Sequence, residues 1–262
     1  MMSNLVYTRR VACSLIAAVG LSAVPALAQD SPRLDVIYVP TPQTVVNRML
    51  ELADVKSSDF VIDLGCGDGR MVVTAAQKYG ASGFGVDINP VRINEANENA
   101  KKANVTDKVN FKVANLFEES MAKADVMTMY LLTEINLRLR PKILEELKPG
   151  ARVVSHAFGM GDWKPDVEEV VDGKQVYLWH VPAKVGGKWE VKGDQPMTLE
   201  LSQNFQMVSG KATVNGKPAD VSGRLKGKEI TLTIDADGKK QELKGTVEGG
   251  EVKGTGWSAT KA

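Results

Sequence analysis

Residues 61–70 read VIDLGCGDGR, and the fold turns on them. Val61, Ile62 and Leu64 form an apolar run that breaks into Gly65, Gly67 and Gly69, and a helical pattern follows from Met71 to Tyr79. That is strand, tight turn, helix, an arrangement that aims backbone N–H groups at a ligand. The spacing comes close to the dinucleotide fingerprint, but its third glycine falls at position 70, which is Arg70 here. The charges count further against it. Asp63 and Asp68 flank the turn where a pyrophosphate would lie, and carboxylates repel an anion.

A ligand without phosphate and with positive charge suits such a turn. S-adenosylmethionine (SAM) carries a sulfonium and an α-ammonium group, and both are attracted by carboxylates. A third acid, Asp87, ends the strand-like run Gly83 to Asp87 about 20 residues beyond the turn, where a carboxylate accepts hydrogen bonds from ribose hydroxyls. Taken singly, Asp68 reads as a helix N-cap and Asp87 as a turn residue before Asn89-Pro90. Together with Asp63 and the Gly-x-Gly-x-Gly spacing they favour the cofactor. On these residues, VIDLGCGDGR resembles the first motif of class I SAM-dependent methyltransferases, and GFGVDINP, residues 83–90, resembles their second.

The rest of this half of the chain alternates between strand and helix. An amphipathic helix is expected over Thr44 to Ala53, and helices near 71–79, 91–103 and 134–147, the last interrupted by Pro141. Strands are expected at 60–64, 83–87, 109–113, 125–130 and 151–156. Alternation of this kind means a parallel sheet with right-handed crossovers. Val167 to Val171 and Val176 to Val181 then flank Asp172-Gly173, a hairpin signal. The expected fold is α/β, a Rossmann-like seven-strand SAM methyltransferase sheet with helices on both faces, spanning residues 34–183.

From about Gly186 the composition changes to short alternating runs split by turns at Asn215-Gly216, Asp237-Gly238 and Gly249-Gly250. A separate all-β module, a small meander or barrel, is expected over 186–262. VSGKA, VSGRL, LKGTV and VKGTG each place a glycine third in a strand-like segment, at Gly210, Gly223, Gly245 and Gly254, which suggests bends or bulges. Its 12 basic and 10 acidic residues nearly balance, and it carries no catalytic constellation.

Tyr38-Val39-Pro40-Thr41-Pro42, Met129-Tyr130-Leu131-Leu132 and Val153 to Phe158 narrow the likeness. With the two glycine motifs they resemble the small seven-strand protein-lysine methyltransferases, which include the archaeal broad-specificity enzyme and the mitochondrial enzyme that acts on the c-ring protein of ATP synthase. The resemblance covers Ile37 to Phe158 and implies a protein substrate. It also implies that Tyr38 and Thr41 close over SAM, that Asp63, Gly65, Gly67, Asp68 and Asp87 hold it, and that Asn115 and Leu116 meet the adenine. Tyr130 and Leu131 would line the lysine channel as the catalytic pair. A small-molecule N- or O-methyltransferase and a non-catalytic SAM-fold binding protein are the alternatives.

The first 28 residues are of another kind: Arg9 and Arg10, an apolar segment from Val11 to Val24, then Ala26-Leu27-Ala28. They read as a secretory signal cleaved after Ala28, so a periplasmic protein with no membrane span after cleavage is expected. Loss of Arg9 and Arg10 takes the formal charge from +1 to −1, which gives no footprint for a nucleic-acid partner. Cys66 would be the one cysteine left, a packing residue in the turn, without a disulfide partner. His156 and His180 read as hydrogen-bonded core or rim residues, and no metal site is expected.

Overall fold

Burial in the first strand shows how the sheet is covered. In β1 (Phe60–Leu64), Ile62 and Leu64 point into one apolar cluster and Val61 into another, as the two-residue period of a strand requires. The computed structural model describes residues 37–262, which lie within a unit running from Arg33 to Ala262. The expected signal segment and its cleavage site lie outside the described residues.

Helices α1 (Gln43–Leu52), α2 (Arg70–Tyr79), α3 (Pro90–Lys102) and α4 (Thr133–Glu146) alternate with β1, β2 (Ser82–Asp87), β3 (Val109–Val113), β4 (Val126–Met129) and β5 (Arg152–His156). The hairpin of β6 (Val167–Val171) and β7 (Lys174–His180) follows, turned by Asp172 and Gly173, both with positive φ as a two-residue turn needs. The sheet order is β3-β2-β1-β4-β5-β7-β6, and β7 alone runs against its neighbours. On one face α1 and α2 bury Val45, Met49, Met71 and Ala75 against Val61, Val126 and Val154. On the other, Ile135, Leu139 and Ile143 of α4 pack on Ile62, Met127 and Val153. Helix α4 runs on through Pro141. The strand order reverses between β1 and β4, so a crevice opens at their carboxyl ends.

The C-terminal strands are β8 (Gly187–Gly193), β9 (Met197–Asn204), β10 (Met207–Val214), β11 (Lys217–Lys226), β12 (Glu229–Ala236), β13 (Lys239–Glu248), β14 (Glu251–Gly254) and β15 (Trp257–Lys261). Each pairs with the next antiparallel, and β15 pairs with β8, which closes an eight-stranded barrel. The repeated glycines do not mark bulges, because the registers of β10, β11 and β13 run without interruption. A Cβ at Gly210 or Gly223 would instead run into the carbonyl oxygen of Glu200 or Thr231 on the adjacent strand. The glycines allow close approach in a tightly coiled sheet.

The barrel is docked by its turns. Phe205, between β9 and β10, holds a φ of 52°, costly for an aromatic residue. Its ring stacks on Trp163 at 5.8 Å and lies under the Arg140 guanidinium at 5.0 Å. Next to it, buried Gln206 donates from Nε2 to the Lys164 carbonyl at 2.7 Å. Packing and a hydrogen bond thus offset the strain of the turn.

Candidate active site

A cleft of about 490 Å³ opens at the carboxyl ends of β1, β2 and β4. Its floor is the glycine turn. Gly65, Gly67 and Gly69 have φ of 74°, 52° and 76°, and neighbours also press on them. A Cβ at Gly67 would run into the Tyr38 ring, and one at Gly65 would lie 2.9 Å from Leu131 Cδ2. Only glycine meets both demands. The Gly65 and Cys66 amides both donate to the Val86 carbonyl, at 2.9 and 2.8 Å, which ties the turn to β2.

Asp63 lies at the back of this turn, buried, with one carboxylate oxygen accepting from Thr128 Oγ1 at 2.7 Å. Among the described residues, its other oxygen has no hydrogen-bond donor, and the residue lines the cleft. Burial pushes its carboxyl up to about 7, against the Thr128 hydrogen bond and with help from the negative charges of Asp87 and Asp68. Such a group is poised to be stabilised by an incoming cation. Asp87 ends β2, and its two oxygens accept from the Gly67 amide at 3.0 Å and the Asn89 amide at 2.9 Å. It therefore braces the turn while its remaining lone pairs are free for hydroxyl donors.

Asp68 behaves differently from Asp63. Burial works to raise its pKa, but the bidentate guanidinium of Arg70, at 2.8 and 2.6 Å, holds it below the usual carboxylate range. The helix N-cap is Gly69 rather than Asp68. The negative charge expected from two acids at the turn is thus halved by the residue that breaks the dinucleotide fingerprint. Arg70 also donates from Nη1 to the Thr41 carbonyl at 2.7 Å, so it fastens the entering segment to the turn.

That segment crosses the cleft before α1. Tyr38 covers Gly67, with Arg92 4.6 Å above its ring. Burial, then the charge of Asp68, raise its phenol above the ordinary value. Thr41 is buried, and its hydroxyl pairs with His156 Nδ1 at 3.1 Å, so it serves as a fastening as well as a lining residue. Asn115 lines the far end with Leu116 and Phe117, where it forms a local turn: its Oδ1 accepts from the Phe117 amide and its Nδ2 donates to Glu118.

Tyr130, Leu131, Leu132 and Phe158 make the opposite wall. The expected strand 125–130 stops at Met129, which leaves Tyr130 just beyond it, its ring 3.8 Å from that of His156 and 6.1 Å from that of Phe158. Cys66 is a packing residue, buried beside Gly85, and burial pushes its thiol far up. His180 is bonded to Asp166. Among the described residues, no group of three His, Cys, Asp or Glu is placed to hold a metal.

The residues present fit SAM. The turn's three glycines put no side chains in the way of a close approach, one Asp63 oxygen is left for a cationic partner, and Asp87 lines the same cleft. Comparisons with known proteins agree. The model of the ANTKMT methyltransferase domain matches residues 63–167. A protein-lysine N-methyltransferase of Saccharolobus islandicus is 49% identical over 147 residues, 54% of this chain and 91% of that protein. An adenine nucleotide translocase lysine N-methyltransferase of Mus musculus is 32% identical over 133 residues, 51% of this chain and 58% of that one. The crystal structure of an RNA methyltransferase from Salinibacter ruber in complex with S-adenosyl-L-homocysteine shares 49% identity with a TM-score of 0.55, covering 56% of this chain and 96% of that one. With an acid-lined glycine turn at the switch point of a seven-stranded sheet and these relatives, the chain belongs to the protein-lysine N-methyltransferase family of SAM-dependent methyltransferases.

Proposed function

We propose that this chain transfers a methyl group from SAM to the ε-amine of a lysine in another protein. The observation that carries the reading is a single cleft with an acid-lined glycine turn on one side and Tyr130, Leu131, Leu132 and Phe158 on the other. When bound, SAM supplies an electrophilic methyl group on a positively charged sulfur. Asp63 would face that positive charge, Asp87 would accept from the ribose hydroxyls, and Tyr38 covers the turn. Leu116 and Phe117 would hold the adenine, with Asn115 shaping that end.

The wall's task is to orient a nitrogen lone pair in a place poor in water. A lysine reaches its reactive form by losing a proton, and its reference pKa is about 10.4. Apolar Leu131 and Leu132 disfavour the charged ammonium and so lower that value. Tyr130 is the group nearest the incoming amine in this reading.

The S. ruber relative carries the name of an RNA methyltransferase, so the assay must tell protein from RNA. The chain is incubated with radiolabelled SAM, with protein fractions and with total RNA, and labelled species are mapped by mass spectrometry. Label on lysine side chains supports the proposal. Label confined to RNA, or to small molecules, refutes it. We also propose export, on the strength of Arg9, Arg10 and the Ala26-Leu27-Ala28 site. N-terminal sequencing of protein from an exporting host should then begin at Gln29, and a cytosolic chain that keeps its first residues refutes it.

A further inference from the structure

We propose that His156 is a positioning residue that couples the Tyr38–Thr41 segment over the cofactor to Tyr130 on the acceptor wall. Nothing in the glycine motifs calls for this histidine, and it is not among the residues that line the cleft. It sits one layer behind, 1% exposed, at the end of β5.

Two contacts leave it in two directions. Its Nδ1 pairs with the buried Thr41 hydroxyl at 3.1 Å, which fixes the segment that carries Tyr38 across Gly67. Its ring lies against Tyr130 with centroids 3.8 Å apart and planes 35° from parallel. Both contacts are side-chain contacts of one residue, so movement of the segment is passed to the ring that faces the acceptor.

The histidine itself is held from behind. The Phe158 amide donates to its carbonyl at 2.8 Å, in a sharp turn that places Ala157 at a φ of 65°. Ser155 Oγ and Asn136 Nδ2 both donate to the Phe158 carbonyl, at 2.6 and 3.0 Å. A residue fixed this firmly transmits a displacement rather than absorbing it. Burial, with the charge of Lys174 adding to it, takes the imidazole down to about 4, so it is neutral at working pH. A neutral ring gives Thr41 one nitrogen and Tyr130 an uncharged face. Among the described residues, Nε2 has no partner. The two contacts described are then what the side chain has to offer.

The two links can be cut separately. His156→Phe keeps a ring for Tyr130 and removes the Thr41 partner, whereas His156→Asn keeps a polar group near the Nδ1 position and removes the ring. Thr41→Val cuts the first link from the other side with little change of shape. S-adenosyl-L-homocysteine (SAH) is the probe, because its binding is read without any acceptor. Binding is measured by calorimetry, and backbone hydrogen exchange is followed over residues 37–46 and 128–134 with and without SAH.

In the parent, SAH should protect both segments. His156→Phe and Thr41→Val should each weaken SAH by up to about tenfold, the most that one buried hydrogen bond ordering the covering segment can supply, and reduce protection of 37–46. Combined, they should be no worse than either alone. His156→Asn should bind SAH within about threefold of the parent but lose the protection of 128–134, on the order of one stacked contact. The inference rests on the cleft being the SAM site, and a parent that fails to bind SAH would refute that assignment instead. If His156→Phe binds and protects as the parent does, the coupling is refuted. If both His156 variants lose both protections together, in step with a lower melting temperature, the histidine is a packing residue and the proposal falls.

Discussion

Asp63→Asn should make the empty protein more stable and the cofactor site worse. The Asp63 carboxyl has an ordinary value of 3.8 and stands at about 7 in the folded chain, with burial as the main cause. A folded-state value above the unfolded one means that the native protein holds the proton more tightly. Stability from this group is therefore fully present below pH 4 and is lost as pH rises to 7. The distance between the two values is worth about 4 kcal/mol at completion. By the same linkage about 1.6 kcal/mol is already gone at pH 5, so the loss between pH 5 and pH 8 is about 2.5 kcal/mol.

Asparagine keeps the shape and can still accept from Thr128 Oγ1, now 2.7 Å from the carboxylate oxygen, but it has no charge to bury. The variant should melt above the parent at pH 8 by several degrees, with the gap shrinking toward pH 5 by about 5–10 °C. Taking the difference between variant and parent cancels every other titrating group. The cofactor should reverse the sign. SAM binds the ionised form, so the parent's affinity should rise about fivefold between pH 6 and 7 and about tenfold by pH 8, while that of Asp63→Asn stays flat and lower. Scanning calorimetry and titration with SAM at pH 5, 6, 7 and 8 measure both. A variant no more stable than the parent at pH 8, or a gap that does not change with pH, would refute the buried-carboxylate reasoning.

Thr128→Val removes the one hydrogen bond that the described residues give that carboxylate, so the midpoint of the SAM affinity profile should move to higher pH in the same titration. Asp87→Ala frees the Gly67 and Asn89 amides and deletes the proposed ribose acceptor, and calorimetry should show SAM binding weaker by about 1.5–3 kcal/mol. Phe205→Ala gives up the stacking on Trp163 while its Cβ keeps the strain of the positive φ, so urea unfolding should show a net loss of about 2 kcal/mol. The rate of transfer to a lysine acceptor should rise with pH above neutrality, about tenfold per unit while deprotonation limits it. Tyr130→Ala should lower that rate more than it weakens SAM binding, as a comparison of turnover with binding by titration will reveal.

The features of this site that are legible in the sequence are local ones. A five-residue buried strand, three glycines two apart and an acid at the next strand's end each leave their mark within about 25 residues, because turn sterics and strand burial act on neighbours. What stays hidden comes from partners far away in the chain. Thr128 meets Asp63 across 65 positions, and Thr41 meets His156 across 115. Arg70 is the exception. It is visible beside Asp68, yet in the sequence it shows only as a missing glycine, not as the guanidinium that neutralises that acid. The Phe205 turn carries no turn signal, since an aromatic residue takes positive φ only when tertiary packing makes it worthwhile. Alternation announces the barrel strands but not their closure, which depends on β15 finding β8.

Closure also limits what the barrel can do. An eight-stranded barrel is just wide enough to be filled by its own side chains, and here every strand sends apolar residues into one core, from Trp189 in β8 to Ala259 in β15. An open depression by Gly193, Gln241 and Trp257 indents one end, so a small ligand would find a surface rather than an enclosed chamber. The barrel meets the methyltransferase half through its turns and through the end of β11. Asp166 accepts from the His180 amide and from Arg224 of β11, both at 2.7 Å, and despite its burial these partners hold its carboxyl below the usual range. Gly227, in the β11–β12 turn, comes so close to Gly150 that a Cβ would lie 2.8 Å from the Gly150 Cα. Phe205 and Gln206 grip Trp163 and Lys164 at one end of a short loop whose other end carries Phe158 into the cleft. The barrel thereby buttresses the loop that carries Phe158, and in the proposed reading a substrate protein seated by Tyr130 and Phe158 would meet a surface held by contacts from both halves of the chain.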